Sequence, residues 1–433
     1  DAALDAFRGA LALAPEHGPT WSNLGSALRR RGDREAAVAA QLRARRLAPD
    51  DLAILGNLGN ALQDADRLEE ALAVRREAVA RAPSAGRWSL LAVTLRTLGR
   101  IEESIAAAER GLALAPGDPE TTMQRAMGRL ALGDYAGGFE DYRRRWEIGE
   151  IVKPDHAAPE WDGEDPTGLS LLVLPEQGHG DTLLMARFLP ALGAMPWREV
   201  ILAVKPPLAR LLAAPEGVDR VVPVGGVPPA VDRVVHMLDL PRLTGATPET
   251  LPPSPRPAPP GEARARARAR VAPYDGLLKV GVVWSGSVAY RVNFKRAFAP
   301  ERFLPLAELP GVQLFSLYKG PMLETFRASG LPGLIVDASG DDRDFADAAG
   351  LIEEMDLVIG VDTGVTHLAA AMGRETWTLL AHAPYWVYAG TGPTTPWHPA
   401  MRLFRQTIPG DWDGVLGRVR AALAGRAAAR SGP

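Results

Sequence analysis

Three stretches of this chain place small, polar and ionisable residues where an apolar run ends. The first is VDTGVTHLAAAMG (361–373), which follows the run LVIGV and leads into alanines. The change from continuous apolar to one-sided periodicity predicts a buried strand, a polar turn and then a helix. Asp362, Thr363 and Gly364 would form that turn, with Thr366 and His367 in the first turn of the helix. The free N–H groups at a helix start carry about half a positive charge, so such a turn suits a phosphate. Gly364 would let an anion approach the backbone, and the Thr363 hydroxyl would add a donor. An ordinary N-cap with a buried polar pair is the plainer reading of the same residues.

The second stretch is PEQGHGDTLLMARFLP (175–190), where Gly178 and Gly180 bracket His179 and put Asp181 at another helix start. A carboxylate there is most often a cap. Capping alone does not explain two glycines, which would let a substrate come close to the backbone. The third is WSGSVAYRVNFKRAF (284–298), a strand end running into a loop with Arg291, Lys295 and Arg296. Cations placed so can hold a diphosphate, the alternative being solvated loop charges. Taken together, the three offer an anion seat and a carboxylate able to accept a proton. The paired carboxylates in DDRD (341–344) and DWD (411–413) read as turn or cap residues, and no metal site is expected.

These turns need a scaffold. From residue 169 short β-rich runs alternate with helical stretches: LSLLVLP, EVILAVKP, RVVPVG and RVVHMLDL, then LLKVGVVWSG, VQLFSLY, LIVDAS, DLVIGVD and TWTLLAH. That alternation implies parallel sheets with crossover helices. Between the two sets, residues 248–260 are too rich in proline for a sheet or helix and read as a linker. Two α/β halves so joined form a cleft, and open parallel sheets bind ligands beyond the carboxyl ends of their strands. The run RARARARAR beyond the linker would spread charge around a solvated helix, and it lacks the interleaved aromatics expected of a nucleic-acid binder.

The first 145 or so residues repeat. Pro15, Pro49, Pro83 and Pro116 recur at intervals of 34, 34 and 33 residues. Aligning on them brings Trp21, Leu55 and Trp88 into register, then Leu24, Leu58 and Leu91, then Gly25, Gly59 and Ala92, then Leu28, Leu62 and Leu95. This is the tetratricopeptide pattern of helix, turn near Gly32 and Gly99, second helix and proline stop. A fourth unit begins near Pro119 and substitutes Tyr142 and Trp146 for small residues, as a terminal repeat that must cover its face would. Stacked repeats offer a continuous binding surface.

Composition narrows the classes further. A chain of 433 residues implies about three units. The formal net charge of -3 gives no global field for nucleic acid. Cysteine is absent, which excludes disulfides, thiolate metal sites and cysteine nucleophiles and fits a cytoplasmic location. No apolar run approaches the roughly 18 residues needed to span a bilayer. The chain opens at Asp1 inside a helical pattern, which points to further sequence upstream.

The order of EQGHGDTLLMARFLP, VGVVWSGS…KRAF, DFADAAGLIEEMDLVIGVDTGVTHLAAAMG and PWHPAMRLFRQTIPGDW resembles bacterial proteins that fuse tetratricopeptide repeats to a glycosyltransferase domain. That domain is similar to the heptosyltransferase family (family 9) of GT-B enzymes, and the likeness covers nearly all of residues 17–427. The repeats also resemble those of the O-linked N-acetylglucosamine transferase (family 41). In that enzyme a ladder of asparagines holds the acceptor. Asn23 and Asn57 occupy the ladder position, while Leu90 and Gln124 break it. The resemblance implies an all-α tetratricopeptide superhelix (1–150) followed by an α/β GT-B glycosyltransferase with two Rossmann-like halves. The first (151–260) would take the acceptor and the second (261–433) the donor, with the last helix crossing back.

By the same resemblance Asp181 is the base, with Gln177 and His179 near the acceptor. Trp284, Ser285, Gly286, Lys295 or Arg296, Asp362, Thr363, Gly364, Thr366 and His367 would line the nucleotide-sugar donor. Val387 stands where such enzymes usually carry an arginine between aromatics. The implied reaction is an inverting, metal-independent sugar transfer, without cofactor, to Ser/Thr hydroxyls of a protein in the repeat groove, flagellin first. A saccharide or lipid-linked acceptor and an inactive adaptor are the alternatives, and self-association through the repeats is left open.

Overall fold

A computed structural model of the chain describes residues 2–149, 151–288, 290, 292–388 and 390–430. It divides into two compact units, residues 1–132 with 140–150, and residues 133–139 with 151–433.

The first unit is helical throughout. Helix α1 (Ala2–Leu13) precedes α2 (Gly18–Arg31) and α3 (Arg34–Leu47), α4 (Leu52–Asp64) and α5 (Leu68–Arg81), α6 (Ala85–Thr97) and α7 (Ile101–Leu114), and α8 (Pro119–Ala131). Each helix packs on the next, and α2 also meets α4 as α6 meets α8. Side chains set the boundaries. Asp51 accepts from Ala53 N and Ile54 N to start α4, Ser84 starts α6, and Asp118 accepts from Thr121 N to start α8. Gly32 ends α2 with φ of 94°, a conformation that needs glycine. The repeated leucines at 24, 28, 58, 62, 91 and 95 are all buried. Helix α9 (Tyr135–Tyr142) begins in the second unit and ends in the first. The terminal aromatics Tyr142 and Trp146 enclose a buried arginine, Arg145, whose guanidinium lies 5.3 Å and 4.6 Å from the two rings.

The second unit holds two wholly parallel sheets. In the first, β1 (Ser170–Leu174), β2 (Glu199–Val204), β3 (Arg220–Pro223) and β4 (Arg233–His236) lie in the order β3-β2-β1-β4. In the second, β5 (Leu278–Val283), β6 (Val312–Ser316), β7 (Ile335–Asp337), β8 (Leu357–Val361), β9 (Thr376–Leu380) and β10 (Met401–Arg405) run β10-β9-β8-β5-β6-β7. Residues 251–260, between the sheets, form neither helix nor strand. Helix α10 (His179–Met185) follows β1. Helices α11 (Gly261–Val271), α12 (Phe345–Glu353), α13 (Gly364–Ala371) and α14 (Trp412–Arg430) accompany the second sheet. In the last of these, Trp412, Val415, Leu416, Val419 and Leu423 join the core of the second sheet.

The arginine-rich run is a helix with its arginines exposed or partly so and its opposite face buried. Ala263, Ala267 and Val271 fall on one face of α11 and are buried, the close fit being set by Gly350 of α12, where a Cβ would lie 2.7 Å from Ala263 O. The arginines pair with carboxylates: Arg264 with Glu353 at 2.8 Å, Arg266 with Asp347 at 2.9 Å and Arg270 with Asp341 at 3.3 Å. Asp344 caps α12, accepting from Ala346 N and Asp347 N. It also takes Arg210, from the segment after β2, at 2.9 Å. Arg210 reaches Asp347 too, at 3.2 Å, so these two carboxylates tie the first half to the second.

Asp347 has only 3% of its side chain exposed. Its hydrogen bond from Arg343 holds the carboxyl well below the usual carboxylate range, against the effect of burial. Asp347→Asn should lower unfolding free energy by about 3 kcal/mol, because it leaves three arginines without their shared partner. A depressed pKa contributes stability above the unfolded value and loses it as pH falls. The deficit should therefore hold from about pH 7 to pH 5 and shrink below about pH 4. Urea denaturation of both proteins at these pH values tests it; equal midpoints at pH 7 would contradict it.

Candidate functional site

The strand orders place the candidate turns. In the second sheet the chain doubles back between β5 and β8, and Val283 lies opposite Gly360, so Trp284-Ser285 and Val361-Asp362 leave the sheet at one level. In the first sheet the reversal falls between β1 and β4, where β1 delivers Glu176 and Gln177. Such switch points at carboxyl ends are where open α/β sheets bind ligands.

After β1 the backbone turns sharply, with Gln177 at φ of 25°. Lys205, at the end of β2, donates to the carbonyls of Glu176 (3.0 Å) and Gln177, fixing that turn. Asp181 accepts from Gly178 N at 2.8 Å and so caps its own helix. Beyond that turn the starts of α10 and α13 touch. A Cβ on Gly180 would lie 3.4 Å from Gly364 Cα and 3.2 Å from His367 Cδ2, and one on Gly364 would lie 3.4 Å from the Phe345 ring. These glycines allow the close approach of one helix start to the other. Half-buried His179 sits 5.2 Å from Phe345, and burial, with Lys205, lowers its pKa.

The contact sets the charges. Burial pushes the Asp181 carboxyl above the ordinary aspartate range, helped by Asp362 and opposed by the Gly178 N–H and His367. Burial would also raise Asp362, but His367, Arg296 and Tyr388 outweigh it and hold that carboxyl low. Tyr388 donates to Asp362 Oδ1 at 2.6 Å, His367 Nε2 lies 3.6 Å from the same oxygen and Arg296 3.5 Å from Oδ2. Two neighbouring carboxylates are thereby pushed apart, one ionised and one ready to bind a proton, the pattern by which acid and base roles separate.

Other expected residues are placed differently. Trp284 is 0% exposed and stacks 4.8 Å from Tyr318 in the core, so its indole belongs to the fold and not to a donor. Buried Ser285 accepts from Asn293, which organises the loop. Gly286 leaves room for Arg296, whose Nη2 a Cβ would approach to 2.7 Å. Thr366 is fully buried and its hydroxyl donates to backbone, while the Thr363 hydroxyl accepts from Thr366 N; both are used in capping α13. Of the loop cations, Arg296 reaches the Asp-Thr-Gly turn, over the Tyr290 ring; Lys295 lies 5.9 Å from the Phe294 ring, and Arg291 is outside the described residues. Val387 is buried and points no side chain outward. In the repeats Asn23 is exposed, whereas Asn57 donates to Ser22 Oγ at 3.0 Å.

Sequence reasoning missed Tyr388, His398, Lys205 and Arg187. An aromatic group holds the first two in place. Trp386 and Trp397 pack 5.4 Å apart with Tyr135 and Phe139 from the start of α9. Each tryptophan carries a site residue one or two positions on. Among the described residues no three His, Asp or Glu side chains are grouped to hold a metal ion.

Gly180→Val should overpack the contact between helix starts and cost about 1–3 kcal/mol. A thermal melt reads the loss; an unchanged midpoint would mean that the two turns do not need their close approach.

A family model described as Glycosyltransferase family 9 (heptosyltransferase) matches residues 343–405. That segment contains the Asp-Thr-Gly turn, His367, Tyr388 and His398. Tetratricopeptide models match residues 18–51, 52–82 and 85–118. Protein FlbA of Caulobacter vibrioides is 29% identical over 357 residues, which cover 75% of this chain and 59% of that protein. The chain thus spans under two thirds of its relative. A solved glycosyl transferase family 9 protein from Veillonella parvula is 14% identical, covering 57% of this chain and 88% of its own with a TM-score of 0.44. MamA from Desulfovibrio magneticus RS-1 is 19% identical, covering 34% and 82% with a TM-score of 0.29. Both likenesses are too loose to carry weight. Repeat models match at one end of the chain and the glycosyltransferase family 9 model matches over the site, so the two kinds of match divide the chain where the fold does.

Proposed function

We propose that the chain transfers a sugar from a nucleotide-activated donor to a hydroxyl of a protein bound by its repeats. The observation that carries this reading is the contact between the Asp181 turn and the Asp362-Thr363-Gly364 turn at the switch points of two parallel sheets. Asp181 takes the acceptor proton as its oxygen attacks the anomeric carbon. The nucleotide leaves with its phosphate against Arg296 and the start of α13, where negative charge develops. One displacement inverts the anomeric centre. Arg296 supplies the positive charge that the leaving group needs, so the reading calls for no metal ion. A flagellin is the first acceptor to try, on the resemblance to bacterial repeat–transferase fusions.

A second reading gives the same chemistry a saccharide or lipid-linked acceptor. The engagement of Asn57 with Ser22 bears on it, since one of that asparagine's two N–H donors is used inside the array.

Asp181→Asn should reduce turnover by about 10²- to 10⁴-fold, the usual contribution of a placed base. Nucleotide binding measured by calorimetry should stay unchanged. Because burial raises the Asp181 carboxyl, native turnover should fall on the acid side at a pH above the ordinary aspartate value of about 3.9. Intact-mass spectrometry of flagellin with a panel of nucleotide sugars provides the assay. Full turnover in the variant would remove Asp181 as base, and extension of a glycan beside unmodified protein would favour the second reading.

A further inference from the structure

Behind the Asp-Thr-Gly turn a line of hydrogen bonds connects a buried arginine to Asp362. Arg187 Nη2 lies 3.2 Å from Ser254 Oγ, which lies 3.4 Å from His398 Nδ1. His398 Nε2 lies 3.2 Å from His367 Nδ1. His367 Nε2 is 3.2 Å from the Tyr388 hydroxyl, which is 2.6 Å from Asp362 Oδ1. Arg187 and His398 are each 2% exposed and Tyr388 is fully buried, so water does not substitute for these partners. The line crosses the domain: Arg187 follows α10, Ser254 sits in the segment between the sheets, and His398 precedes β10.

Donor and acceptor capacities fix its direction from the Asp362 end. Arginine only donates, so the Ser254 oxygen accepts from it and the serine hydrogen is available to His398 Nδ1. A neutral His398 then carries its hydrogen on Nε2 and gives it to His367 Nδ1. At the far end a carboxylate only accepts, so Tyr388 donates to Asp362 and its oxygen takes the His367 Nε2 hydrogen. The Asp362 end therefore puts the hydrogen of a neutral His367 on Nε2 and leaves Nδ1 bare, where it accepts from His398 Nε2. Bonds aligned head to tail polarise one another.

We propose that His398 is a positioning residue for the transfer site, holding His367 as the Nε2–H tautomer through this one-way chain. Burial keeps His398 well below the usual histidine pKa and therefore neutral, as the chain requires. The ring so oriented is the one that lies against Gly180, and its Nε2 hydrogen faces the Tyr388–Asp362 pair. With the other tautomer a bare Nε2 would face Asp362, and the carboxylate would lose a supporting donor. The role of His398 in turnover rests on the transferase reading; the tautomer does not.

The test is side-chain ¹⁵N–¹H correlation NMR of the full chain with turnover measured in parallel. Native His367 should show the Nε2–H pattern. His398→Phe removes the donor to Nδ1, so His367 should lose that single tautomer and kcat should fall about 10- to 100-fold, the usual effect of a supporting partner. KM for the donor should change less. His398→Gln can accept from Ser254 and donate to His367, and should restore the tautomer and most of kcat. If His398→Phe does not fold, Ser254→Ala takes its place: without the serine hydrogen, His398 is no longer held to one orientation and the His367 signals should become mixed. An Nδ1–H pattern in native protein, or an unchanged tautomer in His398→Phe or its stand-in, would overturn the proposal. So would a glutamine variant that fails like phenylalanine. Absent transfer with the tautomers as stated would count against the transferase reading and leave the chain of bonds standing.

Discussion

The site depends on two helix starts brought into close contact. Gly180 of α10 and Gly364 of α13 meet there, and His367 and Phe345 close the sides. The approach lowers polarity around Asp181 and Asp362 together. Two bare carboxylates would repel in such surroundings. The protein separates their fates by giving Asp362 three partners, Tyr388, His367 and Arg296, while Asp181 receives the N–H of its own turn. One remains ionised and the other is poised to take up a proton.

Much of the remaining architecture keeps that contact in register. Arg210 bridges to Asp344 and Asp347 across the two halves. Arg187 joins the first half to the inter-sheet segment and to Trp397 O at 2.7 Å. Lys205 pins the turn before Asp181. Each is an arginine or lysine holding backbone carbonyls or carboxylates, so the orientation of the halves rests on directional bonds as well as on apolar area. Close-packed interiors have few intermediate arrangements, and a shift at one of these ties would be felt at the glycine contact.

The repeats could be read from sequence because each buried leucine recurs about 34 residues on, and the strands because parallel sheets buried on both faces leave long apolar runs. The strand–turn–helix junctions were legible for the same reason: periodicity changes there. Function within the turns was less so. A glycine beside an aspartate has the same sequence signature whether it admits a phosphate or another helix. Trp284 ends an apolar strand and carries no mark of which way its indole points. Tyr388 and His398 lie in an irregular loop without period, and only the fold brings them to His367. The carboxylate partners of the α11 arginines had no mark in the sequence because Asp347 and Glu353 stand 81 and 89 residues away.

A structure with an intact nucleotide-sugar analogue bound would test the central claim most directly, namely that the two helix starts form one transfer site. The account predicts the phosphate beside Arg296 and the start of α13, with the anomeric carbon turned toward Asp181. A donor seated at another edge of the sheets, with Asp181 facing away from the sugar, would contradict it.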